Sequence, residues 1–238
     1  MIQYERQQKI ISILEQRQTA SIRELSSLLF ASEASVRRDI AALEEKGYVQ
    51  RIYGGVVLSK YKNSVVPVDL RDGANSDAKE LIARRAAELI FDGATVLMDA
   101  SSTVRRIVKY IDHRHDVKII TNNHRIFSEV TDSSLQLYCT GGLYGKKNHD
   151  FLGPAAEKYL QSVNADLVFF SSQGITEDGE ITDVSEEETS LRRVMLSRAT
   201  KKIFLCDSSK IVVLKVFTLC KKDEIDQIIC DKKLPWEN

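Results

Sequence analysis

Residues 32–40 read Ser-Glu-Ala-Ser-Val-Arg-Arg-Asp-Ile, and this stretch decides the fold of the N-terminal part of the chain. Ser32 is a suitable helix N-cap, because its side-chain oxygen can accept the free amides of a first helical turn. Val36 and Ile40 then recur at helical spacing and define one apolar face. The pattern predicts a helix over residues 33–46.

A shorter helix precedes this one in the sequence. Residues 21–24 read Ser-Ile-Arg-Glu, a capping box in which the Ser21 hydroxyl accepts the Glu24 amide and the Glu24 carboxylate accepts the Ser21 amide. The helix it starts ends near Leu29, and an amphipathic helix is predicted before it over Tyr4–Arg17. A short helix, a short turn and a longer helix form the helix-turn-helix arrangement.

A β-hairpin is predicted after the second helix. Gly47 ends that helix as its C-cap, and two β-prone runs then flank Gly54-Gly55, as in the wing of a winged helix. In such domains the early residues of the second helix contact base edges, while hydroxyls and cations nearby bind phosphates. The candidate DNA-binding residues are Ser21, Ser32, Ser35, Arg37, Arg38, Arg51 and Tyr53. Asp39 is expected to hold the helix in place by pairing with an arginine, and not to read bases.

Composition excludes several classes of protein. The formal net charge is zero, so bulk charge gives no indication of nucleic-acid binding. From the helical pattern alone, the N-terminal helices could also form a protein-interaction domain whose arginines are merely solvated. Cys139, Cys206, Cys220 and Cys230 lack the paired spacing of a zinc site, so buried free thiols are expected, with no metal and no cofactor. No apolar run approaches the length of a membrane span, which predicts a cytoplasmic protein without membrane contact.

The remaining three quarters of the chain alternate apolar runs with helical segments. The runs are Ala94–Met98, Val117–Thr121, Leu135–Cys139, Asp166–Phe170, Lys202–Cys206 and Gln227–Cys230, and a helix is predicted over Lys79–Phe91. Such alternation predicts a parallel, Rossmann-like sheet with helices on both faces. The expected domains are therefore a winged helix-turn-helix over residues 1–58, a polar linker over 59–76 and an α/β domain over 77–238.

Polar clusters follow five of these predicted strands. Ligands of open parallel sheets bind beyond the carboxyl ends of the strands, and hydroxyl residues entering a helix suit a phosphate group. Lys210 adds a positive charge to the last of the clusters. The candidate effector-binding residues are Asp99, Ser101, Ser102, Thr103, Thr121, Asn122, Asn123, Gly141, Gly142, Gln173, Asp207 and Lys210.

These motifs together resemble the DeoR family of bacterial transcriptional regulators. Residues 32–40, Leu43-Glu44-Glu45-Lys46-Gly47 and Arg51-Ile52-Tyr53-Gly54-Gly55 match its DNA-binding segment. Its sensor domain is matched by Arg71, Lys79 with Ile82-Ala83, the Asp99–Thr103 loop, Thr121-Asn122, Gly141-Gly142, Gly153, Glu187-Glu188 to Met195, and Asp207–Lys210. The resemblance covers nearly the whole chain and adds Glu188 to the candidate effector residues. Ser101 stands where the family loop usually has glycine, so its Cβ is expected to tighten the loop or shift a bound phosphate.

The resemblance implies a fold and a function. It implies a sensor domain similar in fold to ribose-5-phosphate isomerase and glucosamine-6-phosphate deaminase, with a phosphorylated sugar as effector and the Ser101–Thr103 loop as its phosphate cradle. It also implies a regulator, in the commoner sense a repressor, of sugar or carbohydrate metabolism genes. The expected partners are a double-stranded DNA operator and further copies of the chain in a dimer or tetramer, because paired half-sites multiply affinity.

An alternative is a sugar-phosphate isomerase or deaminase with an appended DNA-binding domain. Such chemistry needs a general base, usually a carboxylate near a cation, and Asp99, Glu187, Glu188 and Asp207 are available carboxylates. The related isomerase has a Lys-Gly-Gly-Gly type of loop after its fourth strand, but residues 171–174 read Ser-Ser-Gln-Gly, without a lysine. The sequence therefore favours a sensor with no catalytic residues, and not an enzyme.

Overall fold

The computed structural model describes residues 3–17, 19–45, 48–52, 54–58, 68–111, 116–130 and 134–236. The chain forms two compact units, Met1–Ala74 and Asn75–Asn238. Tyr53, the expected cap Gly47 and residues 59–67 of the expected linker lie outside the described residues.

The first unit is a winged helix. It contains α1 (Gln3–Arg17), β1 (Thr19–Ala20), α2 (Ile22–Leu29), α3 (Glu33–Glu45), β2 (Val49–Ile52), β3 (Gly55–Leu58) and α4 (Val68–Asp72). The strands form an antiparallel sheet in the order β1-β3-β2, and the helices bury Ile10, Leu14, Leu25, Val36 and Ile40 against it. Gly55 has no room for a side chain, because an added Cβ would lie 2.7 Å from the Ala20 carbonyl oxygen on β1. The predicted helix-turn-helix and wing are confirmed.

Local hydrogen bonds set where α2 and α3 begin. The Glu24 amide donates to Ser21 Oγ at 3.1 Å and the Ser21 amide donates to Glu24 Oε2 at 2.8 Å, so both bonds of the predicted capping box are present. The Ser35 amide donates to Ser32 Oγ at 3.2 Å and caps α3 as the sequence predicts. Phe30 ends α2 with φ of 49°, a left-handed conformation that turns the chain toward α3.

Asp39 holds α3 to α1. It is fully buried, and the Arg6 guanidinium donates to both of its carboxylate oxygens, through Nε and, at 3.2 Å, through Nη2. A buried carboxylate is stable only when it is paired and hydrogen-bonded. The expectation that Asp39 has a structural role and an arginine partner is therefore confirmed.

The second unit is built on a six-stranded parallel sheet in the order β14-β12-β9-β4-β5-β6. Its strands are β4 (Thr95–Met98), β5 (Lys118–Thr121), β6 (Gln136–Cys139), β9 (Ala165–Phe170), β12 (Ala199–Cys206) and β14 (Gln227–Cys230). Its helices are α5 (Ser76–Ala87), α6 (Ile126–Glu129), α7 (Pro154–Gln161) and α8 (Glu186–Ser197), with 3-10 helices at Val104–Tyr110, Ser208–Lys210 and Lys222–Glu224. The predicted α/β fold is confirmed.

Both faces of this sheet are covered. One face buries residues such as Val96 and Phe169 beneath α5 and the Val104–Tyr110 helix, and the other buries residues such as Phe170 and Phe204 beneath α7 and α8. Two small antiparallel sheets were missed by the sequence analysis. They are the hairpin of β7 (Leu143–Gly145) with β8 (Asp150–Leu152), and the sheet of β10 (Gly174–Ile175), β11 (Glu180–Asp183) and β13 (Phe217–Lys221).

The sheet has a topological switch point between β4 and β9. From β4 the chain builds β5 and β6 on one side, and it then returns to build β9, β12 and β14 on the other. The connections therefore diverge at this point and leave a crevice outside the carboxyl ends of the two strands, where open α/β sheets bind ligands.

Some sequence expectations need correction. The helix predicted over Lys79–Phe91 runs instead over Ser76–Ala87, so it begins three residues earlier and ends before the exposed Phe91. The expected linker contains α4, and its last residue already belongs to α5. Cys139 is exposed and not buried, because it lies on the edge strand β6, whereas Cys206, Cys220 and Cys230 are buried as expected.

Glu80 joins α5 to the Val104–Tyr110 helix. It accepts hydrogen bonds from Tyr110 Oη at 2.6 Å and Lys109 Nζ at 2.9 Å, and it pairs with Arg106. Burial raises the pKa of Glu80, but the hydrogen bonds from Tyr110, Lys109 and Arg106 outweigh it and lower the pKa to about 2. The ionised carboxylate therefore stabilises the folded unit.

Replacing Asp39 with alanine is expected to destabilise the winged helix. The substitution leaves Arg6 without its carboxylate partner and should cost about 3 kcal/mol. Hydrogen exchange measured by mass spectrometry should show faster exchange of the α1 and α3 amides, while Glu45→Ala, an exposed change on the same helix, should not. Unchanged protection together with lost operator binding would instead place Asp39 at the DNA.

Replacing Glu80 with glutamine should give a stability loss that depends on pH. Because the pKa in the folded state lies below that in the unfolded state, the carboxylate stabilises above about pH 4.5, and this contribution is lost as the pH falls toward 2. Urea unfolding followed by Trp236 fluorescence should show a difference of about 2 kcal/mol at pH 7 that shrinks at acid pH. Glu88→Gln is the control, and a difference that does not change with pH would contradict the argument.

Candidate functional site: recognition helix and sheet crevice

The first turns of α3 present an exposed polar face. Arg37 and Arg38 are exposed, and Arg37 Nη2 lies 3.2 Å from Glu33 Oε2 one turn earlier. Arg38 forms no ion pair with any residue in the described part of the chain. Ser35 Oγ lies 3.0 Å from Ser32 Oγ. The early turns of the helix therefore carry two guanidinium groups and two hydroxyls, of which Arg38 is the cation without an internal counter-charge.

The wing carries its own ion pair. Arg51 Nε lies 3.2 Å from Glu44 Oε2, and the Arg51 amide donates to Glu44 Oε1 at 3.0 Å. Glu44 thereby fixes the start of the hairpin relative to α3. Ser21 is already engaged in its capping box, so its side chain has a structural role at the start of α2.

A buried arginine lies at the centre of the sheet crevice. Arg192 of α8 donates from Nε to Asp99 Oδ2 at 2.7 Å, from Nη1 to Asp183 Oδ2 at 3.0 Å and from Nη2 to Glu188 Oε2 at 2.6 Å. All four residues are more than nine-tenths buried. Burial lowers the pKa of Arg192, but the charges of Asp183, Glu188 and Asp99 outweigh it and raise the pKa above its ordinary value. Three carboxylates therefore hold this guanidinium within the protein, one at each of its nitrogens.

Asp99 also shapes the backbone at the switch point. Its Oδ1 accepts the Ser101 amide at 3.0 Å, and its Oδ2 accepts the Ser171 amide at 3.1 Å. Asp99 therefore ties the loop after β4 to the end of β9. Sequence analysis placed Asp99 in the ligand crevice, but the structure gives it the role of organising that crevice.

The loop after β4 holds hydrogen-bond donors without partners. Ser101 Oγ accepts the Val104 amide at 3.2 Å, which closes the loop. Thr103 Oγ1 is buried and has no hydrogen-bond partner, and within the described residues the amide and hydroxyl of Ser102 have none either. Ser101 does not adopt a positive φ, so a serine fits this position without strain. Its side chain closes the loop and leaves the donors of the next two residues unused.

The turn after β12 brings cations to the same edge of the sheet. Lys210 Nζ donates to Ser171 Oγ at 3.0 Å, and Asp207 Oδ1 accepts Asn75 Nδ2 at 2.7 Å. Burial raises the pKa of Asp207, but the charge of Lys210, hydrogen bonds from Ser209 and Asn75, and the charge of Lys79 together hold the pKa below its ordinary value. Asp207 Oδ2 is buried without a hydrogen-bond partner in the described residues.

The candidates after β5 lie farther along the edge. Thr121 donates to the Met98 carbonyl at 2.7 Å, and Asn122 is anchored to Phe151, although its Oδ1 has no hydrogen-bond partner in the described residues. With neighbouring strands about 4.8 Å apart, β5 lies roughly 14 Å from β12. Thr121, Asn122 and Asn123 therefore line the crevice at a distance from Asp207 and Lys210.

Gly141 and Gly142 follow the edge strand β6, one strand farther still. Both have a positive φ, and a Cβ on Gly142 would lie 2.5 Å from the Leu152 carbonyl oxygen. Close packing against β8 thus accounts for Gly142 without a ligand. Gln173 is half-buried in the connection from β9 to β10, and the structure gives it no contact with the Arg192 cluster.

Several residues of the crevice were missed as candidates. They are Asn75, Lys79, Asn148, Ser171, Asp183 and Arg192. Lys79 is 2% exposed, and a lysine on the apolar side of an amphipathic helix was the signal that could have identified it. Asp183 and Asn148 come from the small antiparallel sheets, which gave no signal in the alternation of strands and helices.

Within the described ranges, no group of three or more His, Cys, Asp or Glu residues is arranged to hold a metal ion. In the same part of the chain, none of the helices combines the length and the apolar composition that crossing a bilayer requires.

Family models match both units. Residues 6–62 match the DeoR-like helix-turn-helix domain, and residues 74–232 match the DeoR C terminal sensor domain.

Relatives match over almost the whole chain. The HTH-type transcriptional regulator GolR of Listeria innocua is 32% identical over 98% of this chain and 92% of its own length. The L-fucose operon activator of Haemophilus influenzae is 32% identical, with coverage of 97% and 92%, and the HTH-type transcriptional repressor GlcR of Bacillus subtilis is 31% identical, with coverage of 98% and 90%.

Among solved structures, eIF2B delta from Chaetomium thermophilum matches with a TM-score of 0.51 and 16% identity, over 67% of this chain and 57% of that chain. Ribose 5-phosphate isomerase A from Methanocaldococcus jannaschii matches with a TM-score of 0.44 and 16% identity, over 58% and 56%. At 16% identity the match to eIF2B delta shows a similar fold alone. The two family models and the regulators matched along the full length establish that this chain is not an enzyme but a DNA-binding transcriptional regulator of the DeoR family.

Proposed function

We propose that this regulator binds a phosphorylated sugar at the switch point of its six-stranded sheet and that the bound sugar changes its affinity for operator DNA. The observation that carries the proposal is the loop at Ser101–Thr103, where buried hydroxyls and an amide have no partner in the described chain. Buried polar groups of a folded protein are normally hydrogen-bonded, so a set of unused donors at a ligand crevice favours a missing acceptor.

A phosphate group fits these donors. Its oxygens accept several hydrogen bonds at once, which matches the hydroxyls of Ser102 and Thr103 and the Ser102 amide. Lys210 lies at Ser171 on the neighbouring strand, and the charge of Lys79 reaches Asp207 beside it, so two lysines are close enough to this edge to offset phosphate charge. Arg192 contributes nothing directly, because three carboxylates already hold it.

The sugar portion fits the acceptors of the crevice. Asp207 Oδ2 and Asn122 Oδ1 are buried oxygens without partners in the described residues, and sugar hydroxyls are donors that would satisfy them. The Ser102–Thr103 loop follows β4, which lies between β5 and β12, so a phosphate there leaves the sugar hydroxyls to reach Asn122 on one side or Asp207 on the other.

The relatives indicate which kind of genes this regulator controls. These relatives include an L-fucose operon activator and a transcriptional repressor, so we infer control of genes for sugar or carbohydrate use and take repression as the sense to test first. Paired half-sites multiply the affinity of a single recognition helix, and we therefore propose that the regulator acts as a dimer or tetramer.

Arg38→Ala is expected to weaken operator binding about tenfold to a hundredfold, the cost of one lost arginine–base contact. Arg37→Ala should have a smaller effect, because in the free protein Arg37 is already paired with Glu33. Fluorescence anisotropy with DNA selected by the unsubstituted protein from a random pool measures both. Lys201→Ala, which removes an exposed cation from the second unit, is the control. Equal losses for Arg38 and Lys201 would show that only bulk charge matters.

Sugar phosphates, but not the corresponding free sugars, should raise the melting temperature of the protein and change its affinity for the selected DNA. Thr103→Val removes the unpartnered hydroxyl at nearly constant volume, and Lys210→Met removes the charge. Both should abolish the thermal shift, whereas Ser162→Ala, an exposed change at the end of α7, should preserve it. A normal response from Lys210→Met, or an equal shift with free sugars, would contradict the placement of the phosphate.

A further inference from the structure

Two buried cysteines lie side by side at the ends of neighbouring strands. Cys206 ends β12 and Cys230 ends β14, and the parallel register pairs them directly. Neighbouring strands are about 4.8 Å apart, which falls within the Cα separation of roughly 4.4–6.8 Å that a disulfide spans. Both residues belong to the same core cluster, so their side chains lie on the same face of the sheet.

The two thiols differ in reactivity. Cys206 is fully buried, whereas Cys230 is 7% exposed and lines a cleft, so an oxidant reaches Cys230 first. The Cys206 thiol lowers the pKa of Cys230, against burial and the Asp231 carboxylate, to which the Cys230 thiol donates at 3.5 Å; Cys230 and burial raise the pKa of Cys206. Thiolate is the reactive form of cysteine, so Cys230 is the nucleophile and Cys206 is placed to react second. Cys220 is buried on β13, where its partner across the sheet is Ile181, and burial raises its pKa to about 12.

A cleft gives small molecules a route to this pair. It has a volume of about 660 Å³, runs along the edge strand β14 and includes Cys230 in its lining together with Arg85, Lys232 and Lys233. Arg85 Nη1 donates to the Cys230 carbonyl oxygen at 3.1 Å. The cations of this lining outnumber its carboxylates, those of Glu88 and Asp231, by three to two. A nearby positive charge and access from solvent are typical of cysteines that react with oxidants.

We propose that Cys230 and Cys206 form an oxidant-responsive modification site that a hydroperoxide converts to a disulfide. The Cys230 thiolate attacks the peroxide O–O bond, which gives a sulfenic acid at Cys230 and releases the alkoxide or hydroxide, protonated by solvent. Cys206 then attacks the sulfenic sulfur, the S–S bond forms and water leaves. The two thiols lose two electrons in total, and the hydroperoxide accepts them.

The disulfide would act on the turn that holds Asp207 and Lys210. Cys206 directly precedes Asp207, and Cys230 directly precedes Asp231, whose carboxylate accepts the Ser208 amide at 2.6 Å and the Ser208 hydroxyl at 3.1 Å. The disulfide removes the hydrogen bond that the Cys230 thiol donates to Asp231 Oδ1 at 3.5 Å, the same oxygen that accepts the Ser208 amide, and it thereby loosens this turn and weakens effector binding. This second step rests on the proposed function, whereas formation of the disulfide does not.

The experiment uses the full chain with Cys139→Ser, because the exposed Cys139 would otherwise form disulfides between molecules. After hydrogen peroxide treatment and alkylation, peptide mass spectrometry should find Cys206 linked to Cys230 and Cys220 free. Adding Cys220→Ser should change nothing. In Cys206→Ser, Cys230 should be trapped by dimedone as sulfenic acid, more than about tenfold faster than Cys220. The proposal would be overturned if Cys206 and Cys230 could still be alkylated after peroxide treatment, or if Cys230 reacted no faster than Cys220. If a further variant fails to fold, the peptide map of the Cys139→Ser protein, the parent of the series, decides.

A separate measurement tests whether the disulfide weakens effector binding. Oxidation should reduce the thermal shift that a sugar phosphate produces in the parent protein but not in Cys230→Ser, and a reductant should restore it. A disulfide that leaves this shift unchanged would refute the coupling to the turn. Failure of the reduced protein to respond to any sugar phosphate would refute the proposed function, while the peptide map would still decide on the disulfide.

Discussion

The second unit depends on one guanidinium group that is buried among three carboxylates. Arg192 connects α8, the end of β4 and the end of β11, because its guanidinium pairs with one carboxylate from each of them and reduces the repulsion among the three. Removing one partner of such a buried cluster costs more than the intact cluster contributes. The cluster therefore fixes the geometry of the crevice. Asp99 also accepts a backbone amide from the loop after β4 and another from the end of β9, so it positions both segments.

This arrangement separates structural polar groups from those left for a ligand. Asp99, Asp183 and Glu188 are occupied by Arg192, and Ser101 is occupied by the Val104 amide. At the crevice, the atoms without a partner among the described residues belong to Ser102, Thr103, Asn122 and Asp207. The family motifs contain residues of both kinds. Only the hydrogen bonds distinguish the side chains that hold the fold together from those with unpartnered atoms.

Elements with strong local signals were predictable from the sequence. The capping box at Ser21, the cap at Ser32 and the six parallel strands follow from hydroxyl positions and apolar runs, and the structure reproduces them within a few residues. The hairpin whose turn holds Asn148 and the antiparallel strand that ends at Asp183 were not predictable, because such short strands have little periodicity of their own. Arg192 was missed for a related reason, since Glu188 lies on the same helix but Asp183 lies on one of these antiparallel strands and Asp99 on a distant part of the chain, so the cluster meets only in the folded unit.

The ion pairs on the recognition helix and wing have a consequence for how the protein searches DNA. Arg37 and Arg51 each carry an internal counter-charge, in Glu33 and Glu44. Association of a protein with DNA is driven largely by release of the cations condensed on the phosphates. At the proposed DNA interface, each of these guanidinium groups would have to leave its own carboxylate before it contacts a phosphate, which lowers the net gain of that contact by the modest strength of an exposed ion pair. In that arrangement the glutamates would weaken contacts with any sequence and favour a site where base contacts add to them.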